Sequence, residues 1–303
     1  MDNQLVLLFW LCVAITVIIL YKYLLSRQPK QEGFTQDTPF LSVSNNVYQN
    51  DFYVSMYDRL NKTRQQSKFD IVKIIEYTQP AYNSVFLDIG SGTGQIVSKL
   101  NQHGYNAFGI DSSTVMVDYA SSRHTDSEYK CGDALDTMTF EPNTFSYILC
   151  TYFTFYEIEN HDLFFKNCST WLKPSGKLIV HLVDKKNFSC VTPLAKTKAQ
   201  TMTQSNSETR ITNTKLDMDS VIYKSEVSFL DSGITRVAES FVNKSNGYKK
   251  HYERNMRIDA IEDTVKLASK YGFVVKAYVS YEQYNGDSNQ FLYIFERIDV
   301  WIY

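Results

Sequence analysis

The chain has 303 residues, 44% of them hydrophobic, with 31 Lys+Arg against 33 Asp+Glu and a formal net charge of -2. That content supports a sizeable core and excludes collagen-like and wholly disordered chains. The near-balanced charge leaves no basic footprint for a phosphate backbone, so nucleic acid is disfavoured as a partner. Cys12, Cys131, Cys150, Cys168 and Cys190 are odd in number and widely spaced, with no CxxC pair, and the histidines form no HExxH pattern. This usage points to a reducing compartment and no metal site.

From Leu5 to Tyr21 the sequence runs without a charge, and Tyr23, Leu24 and Leu25 extend it beyond Lys22. The stretch approaches the ~20 apolar residues that cross a bilayer as a helix. It opens on Asp2 rather than a basic segment and ends in bulky residues, which favours an uncleaved transmembrane helix over a signal peptide. Lys22, Arg27 and Lys30 follow it, so the positive-inside tendency assigns a single-pass membrane protein with its long C-terminal part in the cytosol. The polar residues 26–46, with Pro29, Gly33 and Pro39, read as a flexible tether.

After the tether, Tyr48, Phe52, Tyr53, Met56, Tyr57 and Leu60 recur at helical spacing, and a second helix around Ile71 to Tyr77 precedes Pro80. Val85 to Ile89 is a short strand that ends in Gly90-Ser91-Gly92-Thr93-Gly94, followed by a helix carrying Ile96, Val97 and Leu100. Strands at Ala107 to Ile110, Tyr129 to Cys131, Phe145 to Cys150 and Lys177 to Val183 continue the alternation. Helices lie between them, one of them with Ser112 as a candidate cap. Strands alternating with helices imply a parallel sheet, whose ligands lie at the carboxyl ends of the strands. Asp88, Gly90, Gly92, Asp111, Asp133 and Thr151 fall there.

Asp184 to Lys215 is rich in Ser and Thr and reads as a long loop. Three strands follow it, at Val221 to Phe229, Ile234 to Val242 and Tyr248 to Met256, as an antiparallel β-meander. A helix over Ile258 to Ala268 and strands at Phe273 to Ser280 and Phe291 to Arg297 close the chain. The resulting divisions are an anchor (1–25), a tether (26–46), a core (47–184), an inserted loop and meander acting as a lid (185–255), and a C-terminal helix and hairpin (256–303).

A strand followed by GxGxG is a weak nucleotide-binding sign by itself. Its spacing departs from the GxGxxG expected of an NAD-dependent oxidoreductase, and acids stand at three successive strand ends. Each acid has a plainer reading as a helix cap or turn residue. Taken together, LDIGSGTGQ, GID, CGDAL and WLKPSGKLIVHLVD resemble the class I S-adenosylmethionine-dependent methyltransferases, of the type 11/12/25-like group, over Val47 to Asp184 and again over Met256 to Arg297. The resemblance implies an α/β, Rossmann-like, seven-stranded, mostly parallel sheet with helices on both faces. To this the chain adds the inserted meander and the N-terminal transmembrane helix. It also implies S-adenosylmethionine as cofactor, with Asp88, Gly90, Gly92 and Gly94 beside its methionine part, Asp111 on the ribose and Asp133 with Ala134 near the adenine. Tyr53 and Tyr57 resemble aromatic residues that close over the cofactor.

The acceptor side is less legible. Thr151 to Ile158 carries no [DNS]PP[YF] motif and no Pro-Cys nucleophile, which disfavours amino methylation in DNA or protein and carbon methylation of cytosine. Candidate catalytic residues are His181, His251, Tyr156 and Glu157, with Tyr152 and Asp184 nearby. His181 sits in an apolar strand, where a satisfied core histidine is the plainer reading, and His251 belongs to a run that could be a solvated strand face. Between Asp184 and Arg257 there are 13 Lys/Arg against 8 Asp/Glu, so the insertion is basic relative to the rest of the chain. The expected function is a membrane-tethered methyltransferase acting on a small-molecule or protein acceptor. The alternative is a noncatalytic module of the same fold that recruits a partner at the membrane.

Overall fold

The computed structural model describes residues 40–44, 46–196, 201–207, 210–230 and 233–298, with backbone alone for 201–207. The expected anchor and the expected tether up to Pro39 lie outside the described residues. No helix among the described residues is long and apolar enough to cross a membrane.

The chain enters through strand β1 (Phe40–Ser44), a 3-10 turn (Val47–Gln49) and helices α1 (Asp51–Asn61) and α2 (Thr63–Thr78). The expected alternation follows as β2 (Val85–Ile89), α3 (Gln95–Gln102), β3 (Asn106–Asp111), α4 (Thr114–Arg123), β4 (Glu128–Cys131), β5 (Phe145–Cys150), the short α5 (Thr154–Glu157), α6 (His161–Trp171) and β6 (Leu172–Val183). The closing elements are α7 (Ile261–Ser269), β12 (Phe273–Ser280), α8 (Glu282–Asn285) and β13 (Gln290–Arg297). One seven-stranded sheet results, in the order β12-β13-β6-β5-β2-β3-β4, with β13 antiparallel to both of its neighbours.

Period-two alternation decides which face each strand residue serves. In β5, Tyr147 and Leu149 pack with Ile71 and Ile74 of α2 and Ile96 and Leu100 of α3. Ile148 and Cys150 pack on the other face with Phe164, Phe165 and Cys168 of α6 and Ala268 of α7. Both faces are covered, as a parallel sheet requires. The cap of α4 is Ser113, whose side chain accepts the Met116 N–H, rather than Ser112.

Two expectations fail around the second sheet, one in the tether and one in the insertion. Phe40 to Ser44 is not tether but the edge strand β1, parallel to β11. The loop expected from Asp184 to Lys215 contains β7 (Thr201–Ser207) and most of β8 (Arg210–Met218), which join β9 (Val221–Phe229), β10 (Ile234–Asn243) and β11 (Lys249–Arg257) in a six-stranded sheet. Polar, Thr-rich strands make a weak hydrophobic pattern, yet Thr214, Leu216 and Met218 alternate inward. The inner face of this second sheet buries Tyr223, Phe241 and Tyr252 against Tyr53 and Leu60 of α1, with Val191 and Leu194 completing the cluster.

Candidate active site

Gly90, Gly92 and Gly94 all have positive φ, and the first two shape the cleft. A Cβ on Gly90 would stand 2.3 Å from Thr154 Cγ2, so the chain reversal after β2 tolerates no side chain there. The cleft runs across the carboxyl ends of β2, β3 and β4 and includes Asp111, Asp133 and Ala134. It is roofed by Tyr48 and Tyr57 from the N-terminal segment and Arg254 from β11. An adjoining inner recess shares Tyr57, Gly90 and Gly92 and adds Asp88, Thr93 and Tyr152.

Asp111 Oδ2 accepts the Gly92 N–H at 2.9 Å and Oδ1 the Ser113 N–H at 2.9 Å, so this carboxylate ties the glycine loop to the start of α4. Burial pushes its pKa up, while these two N–H donors pull it down. Asp88 is 3% exposed, and its Oδ1 has no hydrogen-bond partner. Burial raises its pKa well above the ordinary carboxylate range, and the charges of Asp111 and Asp70 add to the effect. An unpartnered buried carboxylate oxygen beside the glycine cradle fits a cationic or N–H-donating ligand group. Asp133 is exposed and accepts the Leu135 N–H in a local turn, and Ala134 lies beside it on the wall. Gly94 stands behind the cleft instead, as the N-cap of α3, where its carbonyl accepts the Tyr129 hydroxyl at 2.9 Å.

Residues 87–180 match the methyltransferase domain family. Over 112 residues the chain is 32% identical to a phosphoethanolamine N-methyltransferase of Plasmodium falciparum (isolate 3D7), covering 36% of this chain and 42% of that protein. Over 125 residues it is 28% identical to a ubiquinone biosynthesis O-methyltransferase of Coxiella burnetii (strain Dugway 5J108-111), covering 39% and 50% respectively. The chain therefore spans half or less of the length of these curated relatives. A solved S-adenosylmethionine-dependent methyltransferase from Clostridium acetobutylicum ATCC 824 shares the fold with a TM-score of 0.61 at 18% identity, covering 82% of this chain and 98% of that one. A second solved structure of this fold, an amino pentose methyltransferase from Micromonospora echinaspora with a TM-score of 0.58 at 14% identity, covering 82% of this chain and 97% of that one, holds bound S-adenosylmethionine.

Glu157 lies on the cleft wall. Its Oε1 accepts both the Tyr48 hydroxyl at 2.8 Å and Arg254 Nη1 at 2.9 Å. Arg254 also faces Glu239 of β10, with Nε 3.5 Å from Oε2. Glu239 is 2% exposed and accepts the hydroxyls of Tyr53 and Tyr223. Burial raises the Glu157 pKa, against which the Arg254 charge and the Tyr48 hydrogen bond act.

The other catalytic candidates are elsewhere. His181 is fully buried in β6, with its Nδ1 bonded to the Tyr152 carbonyl and its ring against Phe153 and Tyr281. Burial lowers its pKa to about 4, so it is a neutral core residue. The Tyr156 hydroxyl is used by the Val183 N–H at 2.7 Å, which fixes it as packing beneath the wall. His251 lies on the outer face of the second sheet with Ser240 and Glu253, because its strand position has the opposite parity to Arg254. Tyr53 is spent on Glu239 and does not line the cleft, whereas Tyr57 does. Asp184 accepts the backbone N–H groups of Lys186 and Asn187 in a turn. Tyr48 and Arg254 were missed by sequence reasoning. Tyr48 stood within a helical pattern that gave it no special status, and Arg254 was one of several cations in a basic strand.

Proposed function

We propose that this protein is an S-adenosylmethionine-dependent methyltransferase, tethered to a membrane by residues 1–25, with its catalytic domain on the cytosolic side. The observation that carries the activity is the cleft in which the Gly90–Gly92 cradle, Asp88, Asp111 and Asp133 converge over adjacent strand ends. The tethering is supported by the uncharged run from Leu5 to Tyr21 and by Lys22, Arg27 and Lys30 after it.

The cofactor, when bound, supplies an electrophilic methyl group on a sulfonium. Asp111 presents a carboxylate at the end of β3 suited to ribose hydroxyls, and Asp133 with Ala134 borders the place for the adenine. Asp88 and the aromatic ring of Tyr57 favour positive charge at the inner end of the cleft. Glu157, Phe153 and Tyr48 face the acceptor side. The roof contributed by the inserted sheet restricts water there. Methyl transfer is an in-line displacement, so fixing both partners in one cleft contributes much of the acceleration. The two curated relatives carry N- and O-methyltransferase names, and neither acceptor is carried over to this chain.

Calorimetric titration of the purified full chain with S-adenosylmethionine and its demethylated product tests the reading. Wild type is expected to bind both. Asp111→Ala is expected to lose roughly ten-fold or more in affinity, the equivalent of a charge-assisted hydrogen bond worth about 1.5 to 3 kcal/mol. Absence of wild-type binding, or equal binding by the variant, counts against the assignment.

A further inference from the structure

The geometry points to an amine as the methyl acceptor, with its N–H held by the free oxygen of Glu157. This rests on the methyltransferase reading and adds the acceptor's chemistry to it. Both hydrogen bonds to the Glu157 carboxylate arrive at Oε1, from Tyr48 and Arg254, which fixes its plane. Oε2 takes no hydrogen bond from any described residue, and the side chain retains 21% exposure. Glu157 and Ile158 also belong to a second recess on the far side of this wall, lined by Val47, Glu159 and Asn255, so the carboxylate stands between the cofactor cleft and an outer approach.

The charge balance selects the class of acceptor. Arg254 is the cation of the cleft wall and is matched by two carboxylates, Glu157 and Glu239, while Arg257, at the outer recess, is paired with Asp259 at 3.1 Å. The Glu157–Arg254–Glu239 cluster at the cleft is therefore net negative, and Arg254 has no spare positive charge for a phosphate or carboxylate beside the methyl group. Among the described residues no histidine or lysine lines the cleft, its inner recess or the outer recess. His181 and His251, the imidazole candidates for deprotonating a hydroxyl acceptor, are both turned away from the cleft by the fold. A carboxylate is far too weak a base to ionise an alkyl hydroxyl before attack, whereas a neutral amine attacks with its own lone pair.

The step balances without a further reactant. The amine lone pair forms the N–C bond as the methyl–sulfur bond breaks with its electron pair left on sulfur. The positive charge passes from sulfur to nitrogen, where the Glu157 carboxylate stabilises it. The surplus N–H proton then leaves through Oε2 to water. Burial favours a proton on this carboxylate more than on an exposed one, which suits it to that relay.

The test uses the full chain saturated with S-adenosylhomocysteine, with 2-phenylethylamine and 2-phenylethanol as matched binding probes, and mass spectrometry of the products when S-adenosylmethionine is supplied instead. Wild type is expected to bind and N-methylate the amine, with the alcohol at least ten-fold weaker. Glu157→Gln, which keeps an oxygen for Tyr48 and Arg254, is expected to lose ten-fold or more in amine binding and more in turnover, with S-adenosylhomocysteine affinity within three-fold. Tyr48→Phe serves as a second variant, expected to weaken both amine measures by a smaller factor. The inference is overturned if the alcohol is preferred, if no amine binding is found up to about 10 mM, or if Glu157→Gln matches wild type. A wild-type chain that fails to bind S-adenosylhomocysteine sinks the methyltransferase reading itself, which is a separate result.

Discussion

Arg254 Nη1, on the inserted sheet, lies 2.9 Å from Glu157 Oε1, at the end of the short helix α5 that follows β5. Residues 97 positions apart in the chain are thereby joined across the mouth of the cleft, and Glu239 faces the same guanidinium from β10. Two carboxylates share one cation, and all three side chains are largely buried. Removing the cation leaves both acids uncompensated, which typically costs about 3 to 5 kcal/mol. Arg254→Ala is accordingly expected to lower unfolding free energy by about that amount in urea titrations, with Arg254→Met no better. Stability within about 1 kcal/mol of wild type would show that the cluster adapts without its cation.

The glycine cradle makes a sharper claim about the cofactor. Gly90 combines a φ of +66° with the 2.3 Å approach that a Cβ would make to Thr154. Gly90→Ala is expected to bind S-adenosylmethionine at least ten-fold more weakly while remaining folded, because the β2 turn must shift at the cleft floor. Paired calorimetry and circular dichroism decide it. Substituting Gly286, whose Cβ would meet nothing within 4 Å, is expected to leave cofactor affinity unchanged despite its positive φ.

The core was legible because its elements announce themselves twice, through apolar strands and through the residues that end them. Phe145 to Cys150 and Lys177 to Val183 could hardly be anything but buried strands, and Asp88, Asp111 and Asp133 gain meaning from their shared position. The second sheet was half legible. Thr201–Ser207 and Phe40–Ser44 are short, polar or at an edge, and a strand paired on one side needs little hydrophobic pattern of its own. Partners across the insertion were not legible at all, since the meeting of Tyr53 with Glu239, or Tyr48 with Glu157, depends on how the two sheets pack.

Asp70 provides a pH-dependent test of the core. It is fully buried in α2, its Oδ1 accepts the Tyr281 hydroxyl at 2.7 Å and its Oδ2 has no partner. Burial raises its pKa from 3.8 to about 8, with the Tyr281 hydrogen bond acting against that rise. Between those two values the folded chain holds a proton that the unfolded chain has released. The stability contributed by the neutral form is therefore complete below about pH 4 and is lost as pH rises toward 8, at no more than about 1.4 kcal/mol per pH unit. Asp70→Asn cannot ionise, so it is expected to lose less stability than wild type between pH 5 and pH 8 in urea titrations. Identical pH slopes would mean that Asp70 ionises in the fold at little cost.

Strand parity in β11 yields the last prediction. Tyr252, Arg254 and Met256 point inward: Tyr252 bonds Asn50, Arg254 bonds Glu157, and Met256 joins the core. The intervening positions face outward, where His251 bonds Ser240 and Glu253 and its ring stacks near Phe40. In the run Lys249-Lys250-His251-Tyr252-Glu253-Arg254 only Tyr252 is strongly apolar, so the pattern alone was too thin to say which face held His251. With the register fixed by Ser240↔His251 and Glu239↔Tyr252, the imidazole is on the side of the sheet away from the cleft. A partly exposed pair such as His251 with Glu253 contributes at most about 1 kcal/mol. His251→Ala is therefore expected to keep cofactor affinity and methyl transfer within two-fold of wild type, while Glu157→Gln loses turnover. A His251→Ala enzyme with normal cofactor binding and strongly reduced turnover would mean that the outer face of the second sheet takes part in acceptor recognition, and the site drawn around Glu157 would have to be extended to it.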